Sequence, residues 1–280
     1  MGAVRPAAIA VLLAVALAGC SSSSPPQISI GAARTYRLAG FSLSRVAAGR
    51  PQRIMFRIEQ PSGAPLTRYR TGAGPHTGVH LIIVRSDLGA IIHQHPKPHA
   101  GGEFSPVVTF PTPGRYRVVI DVYPQLSGPL RNFQLFRRIT VPGRAVHAPL
   151  PPFRPAVMVD GYRFALSGRP KLHSVQANFL TLHVTRQDGS AATFTPWFGA
   201  LAHAIFFRSG SLDYFHTHVC SARTSGCTSV LGATRITGTQ TRPGQLHVGV
   251  LLPIGGTWRL FLQCKVDGHV LTAPFTLNVR

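Results

Sequence analysis

Residues 80–95, HLIIVRSDLGAIIHQH, and residues 203–218, HAIFFRSGSLDYFHTH, carry histidines in one spacing, H-x12-H-x-H, around the same Arg-Ser pair. Repetition constrains a fold more than composition does, because each copy has to be a folded unit in its own right. The match runs on in both directions. FPTPGRYRVVIDV (Phe110 to Val122) aligns with LPIGGTWRLFLQC (Leu252 to Cys264), and IMFRIEQPSGAPLT (from Ile54) with LTLHVTRQDGSAAT (from Leu180). His80 then falls on His203 and Tyr116 on Trp258, so the second copy carries an insertion between them, which holds Cys220, Cys227 and His247.

Each copy consists of short alternating runs separated by turn residues, with 28 Gly and 24 Pro in the chain and no helical period. That is the pattern of an antiparallel β-sandwich. The expectation is therefore an all-β chain of two tandem antiparallel sandwiches, Ig-like or cupredoxin-like, spanning 35–144 and 159–280. Between them, AVHAPLPPFRP falls in a proline-rich linker over 145–158, semi-rigid and extended.

The histidines can be placed on this scaffold. The strands flanking Ser86 to Ala90 form a hairpin in which His80 opposes His95 and Ile82 opposes His93. Side chains alternate along a strand, so His80, His93 and His95 share one face. The same register puts His203, His216 and His218 on one face of the second hairpin. Opposed residues lie about 4.5–5.5 Å apart at Cβ, close enough for three imidazoles to reach one ion. Neutral imidazole suits Cu and Zn, and three histidines with an open fourth position can hold either. The expectation is one such site on the hairpin of each repeat. His76 and His99 could complete a coordination sphere or be solvated. With only Met1, Met55 and Met158, and eight acidic residues, a thioether site for Cu(I) and an oxygen cage for Ca are poorly supplied. A structural reading stands beside the metal one: histidines on half-buried strands can simply satisfy backbone carbonyls.

The N-terminus carries Arg5, an apolar run from Ala7 to Ala18, and then Leu17-Ala18-Gly19-Cys20. The run is too short to cross a bilayer as a helix and matches the core of a signal peptide. The tetrapeptide resembles a bacterial lipobox. That resemblance implies removal of residues 1–19, a diacylglycerol on the Cys20 sulfur, and a Ser/Pro tether over 20–34. The mature protein would then be anchored by lipid to the cell membrane, facing the extracytoplasmic side.

The net charge of +21 includes Arg5 of the leader. The arginines are scattered singly rather than clustered, which argues against nucleic acid and for attraction to anionic envelope polymers. Cys220 and Cys227 bracket a short loop and are expected to form a disulfide, with a bridge from Cys264 to either as the alternative. Cys264 shares a strand face with Trp258, Leu260 and Leu262, a core pattern. No nucleophile elbow, phosphate loop, zinc-protease motif or close pair of carboxylates is present, so no enzymatic activity is expected.

The runs HLIIVRSDL, HQHP and FPTPGRYRVVIDV, with WFGALAHAIFF, LDYFHTH and TWRLFLQCKVDGHVLTAPFTLNV in the second copy, resemble a group of largely uncharacterised bacterial secreted and membrane-anchored proteins. The build is also similar to small periplasmic copper-binding sandwiches. Two functions follow: a lipid-anchored protein holding Cu or Zn through clustered histidines, or a structural envelope module whose histidines only finish the hairpins.

Overall fold

The computed structural model describes Gly2 and residues 35–72, 74–125, 132–220, 229–231, 234–236, 238–240 and 242–280; the predicted lipobox with Cys20, the tether and Cys227 lie outside these. Among the described residues no helix is long and apolar enough to cross a membrane. Thr35–Arg280 forms one compact unit.

The first repeat comprises β1 (Arg37–Leu43), β2 (Pro51–Glu59), β3 (Val79–Arg85), β4 (Ile91–Gln94), β5 (Glu103–Phe104), β6 (Val107–Thr109), β7 (Gly114–Val122) and β8 (Phe133–Val141). Strands β1, β2, β5 and β6 make one sheet, and β4-β3-β7-β8 a second. Alternation along β2 buries Ile54, Phe56 and Ile58 against Leu81 and Ile83 of β3 and Val118 and Ile120 of β7. This is the half-buried strand that a period of two predicts.

The second repeat comprises β9 (Ala156–Val159), β10 (Tyr162–Leu166), β11 (Asn178–Arg186), β12 (Phe194–Thr195), β13 (Ala202–Arg208), β14 (Tyr214–Cys220), β15 (Ser229–Leu231), β16 (Thr234–Ile236), β17 (Gly238–Thr239), β18 (Gln245–Val250), β19 (Gly256–Val266) and β20 (His269–Val279). Apart from the separate β15–β16 pair, its strands follow one hydrogen-bonded path, β12-β19-β13-β14-β17-β18-β11-β10-β9, with β20 on β19. All its pairs are antiparallel except β14 with β17, where the insertion runs back parallel. Phe164, Leu182 and Val184 pack against Phe206, Trp258, Leu260 and Cys264. Strand β9 starts at Ala156, inside the stretch expected to be linker, because Val157 pairs with Phe164 and packs on this core.

Strands β3 and β13 are buried on both faces, apart from their last residue. Their odd and even positions serve different cores. Leu81 and Ile83 face the sandwich of their own repeat, whereas Ile82 and Val84 meet Ile205 and Phe207 of the other, together with Val119, Phe261 and Leu88. Ile82 corresponds to Ile205, Val84 to Phe207 and Val119 to Phe261, so the repeats pack through equivalent faces in a pseudo-two-fold arrangement. Leu150 of the linker covers the same cluster. Each fully buried side chain of this size contributes about 1.5–3 kcal/mol, so seven of them make a durable joint.

Candidate metal centre

Both hairpins adopt the expected register. Ile82 opposes His93, Leu81 opposes Gln94, His203 opposes His218 and Ile205 opposes His216. The histidines therefore share the face of Ile82 and Ile205, which is the face turned toward the other repeat. This revises the expectation of one site per hairpin. His80, His93, His95, His203, His216 and His218 form a single cluster between the repeats, because each hairpin's outer face is buried by the other copy.

Three rings form the hub. The centroids of His93, His203 and His216 lie 5.1, 5.4 and 5.5 Å apart. Around them, three triads each place one ligand nitrogen per residue within 4.8 Å of the others: His80-His93-His216, His93-His95-His203 and His203-His216-His218. Any two triads share one hub histidine. His76, from the loop before β3, joins at the edge, its Nε2 3.2 Å from His218 Nδ1. His99 stays outside, bonded to the Ser105 hydroxyl at the surface.

Hydrogen bonds on the outer side of three rings set their tautomers. His80 Nε2–H donates to the Pro75 carbonyl and His203 Nε2–H to the Trp197 carbonyl, both at 2.9 Å. His93 Nδ1–H donates to Gln263 Oε1 at 2.9 Å, and Gln263 Nε2–H in turn donates to Thr272 Oγ1, which fixes the amide's orientation. The remaining nitrogens carry lone pairs turned toward other rings of the cluster: His80 Nδ1 is 3.5 Å from His216 Nδ1, His203 Nδ1 3.3 Å from His216 Nε2, and His93 Nε2 3.0 Å from His95 Nε2. An oxygen acceptor holding the far N–H is the usual support of a metal-ligating imidazole. His218 Nε2 is buried with no hydrogen-bond partner, an orphan that a bound ion could satisfy.

Burial keeps the rings neutral. It pushes the His80 imidazole down to about 3, reinforced by His203 and opposed by the Pro75 carbonyl. It pushes His203 down to about 4 against the Trp197 carbonyl, and lowers His93, His95, His216 and His218 as well. Neutral imidazole is the form that binds metal, so no proton has to be displaced at neutral pH.

One tight turn makes the wall. Trp197 and Ala200 exchange backbone hydrogen bonds across Phe198 and Gly199, which have φ of +47° and +76°. Two consecutive left-handed residues suit a hairpin turn but are unusual for phenylalanine. The turn aims the Trp197 carbonyl at His203 and stacks Phe198 on His95 at 3.9 Å between centroids.

Sequence reasoning missed the supporting residues Pro75, Trp197, Gln263 and Asp121. Asp121 opposes His80 as Gln263 opposes His203. The buried Asp121 carboxylate accepts hydrogen bonds from Asn132, Gln134 and, from the other repeat, the Tyr214 hydroxyl. Burial raises its pKa, and these bonds oppose the rise. The alignment of Phe110–Val122 with Leu252–Cys264 already paired these two positions, and a polar residue in both copies of a buried strand was the available signal. Of the cysteines, Cys220 is disulfide-bonded and Cys264 is a free buried thiol in the core, which removes Cys264 as a bridge partner.

A family model described as "Domain of unknown function (DUF8832)" matches residues 35–136 and 157–280. No curated protein matches. Among solved structures, the chain is similar to invasin, a bacterial integrin-binding protein, at 15% identity and a TM-score of 0.25, covering 88% of this chain and 38% of that chain. It is also similar to the fibronectin(III)-like modules of Clostridium thermocellum CbhA (12% identity, TM-score 0.21, 88% of this chain and 93% of that one). A third is a fragment of the S-layer protein SbsC, domains 4 and 5 (11% identity, TM-score 0.21, 88% and 96%).

Proposed function

The chain belongs to the family described as a domain of unknown function (DUF8832), and we propose that it is a lipid-anchored extracytoplasmic protein that captures or buffers one transition-metal ion, Cu or Zn, at the joint between its repeats. The observation that supports this most is that His80, His93 and His203, whose outer N–H groups are held by oxygen acceptors, each enter a triad of histidines with ligand nitrogens within 4.8 Å of one another. The role is binding rather than catalysis. Cys20 carries the anchor, and the positive surface holds the domain near anionic envelope polymers and lipid head groups.

A second reading has an observation of its own. The imidazoles can bond one another, as His95 and His93 do at 3.0 Å, so the cluster could serve only to join the repeats. Calorimetric titration of the full chain in detergent with Zn(II) and Cu(II) separates the two. The metal reading expects saturable uptake of one ion per chain, lost in the His93→Ala/His203→Ala variant. Uptake that is absent, or indifferent to both substitutions, leaves the structural reading.

A further inference from the structure

A cleft of 790 Å³ lies beside the cluster, between residues 67–72 and 74–78 of the first repeat and Phe198-Gly199 of the second. Of the six clustered histidines, His95 lines it. Arg68, Arg70 and Lys97 stand around it, and none of its lining residues is acidic. A smaller opening of 450 Å³, also lined by Phe198, reaches His95 and Lys97 as well. The half-buried His95 is thus the point at which solution approaches the triad His93-His95-His203.

The charge of that triad is unbalanced. Three neutral imidazoles would leave both positive charges of a divalent ion in a largely buried place, where unpaired charge is costly. The ligand set itself carries no counter-charge: none of the protein's eight acidic residues belongs to any of the three ligand groups. Asp121, the only buried one, already serves Asn132, Gln134 and Tyr214. Four others are engaged with arginines: Glu59, Asp87, Asp213 and Asp267. A three-histidine site also leaves a coordination position open.

We propose that the cleft beside His95 admits a small carboxylate anion, which takes the open position on the ion held by His93, His95 and His203. The inference rests on the metal reading and adds the ion's missing charge and its fourth ligand. Arg68 and Lys97 draw the anion in. Phe198, stacked on His95, sets the width of the approach. A carboxylate fits because it offers the metal one oxygen, as Asp and Glu do to zinc beside histidines, and a second oxygen to a cationic side chain.

The test loads the full chain, in detergent, with Cu(II) and titrates it with acetate while following the visible and electron paramagnetic resonance spectra. A parallel titration uses chloride. Acetate is expected to shift both spectra saturably and more tightly than chloride. The Arg68→Ala/Lys97→Ala variant should bind Cu(II) as the parent does but acetate about threefold to tenfold more weakly, the effect of losing two exposed charges. Spectra indifferent to acetate in a Cu(II)-loaded chain overturn the inference and leave the metal centre standing. Equal competition by chloride overturns the carboxylate class, and an unchanged acetate affinity in the variant overturns the role of the cleft. A chain that takes up no Cu(II) removes the metal centre itself.

Discussion

Replacing Gln263 with leucine tests whether the cluster is a supported metal site or a packed group of rings. Gln263 Oε1 accepts the His93 Nδ1–H from across the joint, and its amide is held by Thr272. Leucine keeps the apolar volume and removes the acceptor. A buried N–H without a partner costs about 1–3 kcal/mol, so the metal-free chain should lose that much stability to urea. The freed ring can also rotate or change tautomer, and loss of such a support lowers metal affinity by about 10- to 100-fold. Gln263→Glu separates the two effects. It keeps an acceptor, lets the Thr272 hydroxyl donate to it, and brings a negative charge to the ion. Zn(II) affinity in this variant should equal or exceed that of the parent, while the metal-free form is destabilised by the buried carboxylate. Competition titration against a chelator measures both affinities. If Gln263→Leu binds Zn(II) within about twofold of the parent, the outer hydrogen bonds do not organise ligands, and the cluster is a packed group of rings.

Three further expectations follow from the same geometry. The clustered imidazoles have pKa values below the ordinary 6.5, so the unfolded chain binds more protons between that value and the folded ones. The metal-free protein should then keep its stability above about pH 6.5 and lose it on acidification toward pH 4 and 3, by up to about 1.4 kcal/mol per pH unit for each histidine; urea midpoints that stay flat over that range contradict the burial of the rings. Phe207→Ala, which opens the joint between the repeats, should cost about 3–5 kcal/mol, whereas Phe179→Ala, 60% exposed, should change stability by less than about 0.5 kcal/mol, as thermal or urea unfolding would read. Trp197 sits 5.1 Å from the His203 ring and 5.4 Å from His93, so Cu(II) should quench its fluorescence more than that of the core Trp258; quenching as strong in Trp197→Phe as in the parent would place the ion elsewhere.

The strands, their duplication and the register of both hairpins were legible in the sequence, because a period of two and a repeated spacing report directly on which residues share a face. The union of the two histidine sets was not. Whether the outer face of β3 meets water or protein depends on a partner surface far away in the chain. One clue was visible even so: Leu81 to Val84 and Ala204 to Phe207 are apolar at every position, the pattern of strands covered on both sides. The carbonyls of Pro75 and Trp197 carry no side-chain signature at all, since any residue offers a carbonyl and only the turn aims it.

The pairing of Asp121 with Gln263 shows what a single chain permits that two identical chains do not. Each stands at the equivalent place beside the first histidine of its repeat, and each reaches across the joint, one to Tyr214 and the other to His93. A homodimer of one repeat would close the same joint with two-fold symmetry, and any residue chosen for one side would be imposed on the other. Covalent fusion lifts that constraint. One side can carry a carboxylate sequestered by amides and a tyrosine while the other carries an amide that steers an imidazole, so the two halves are free to specialise around a shared centre.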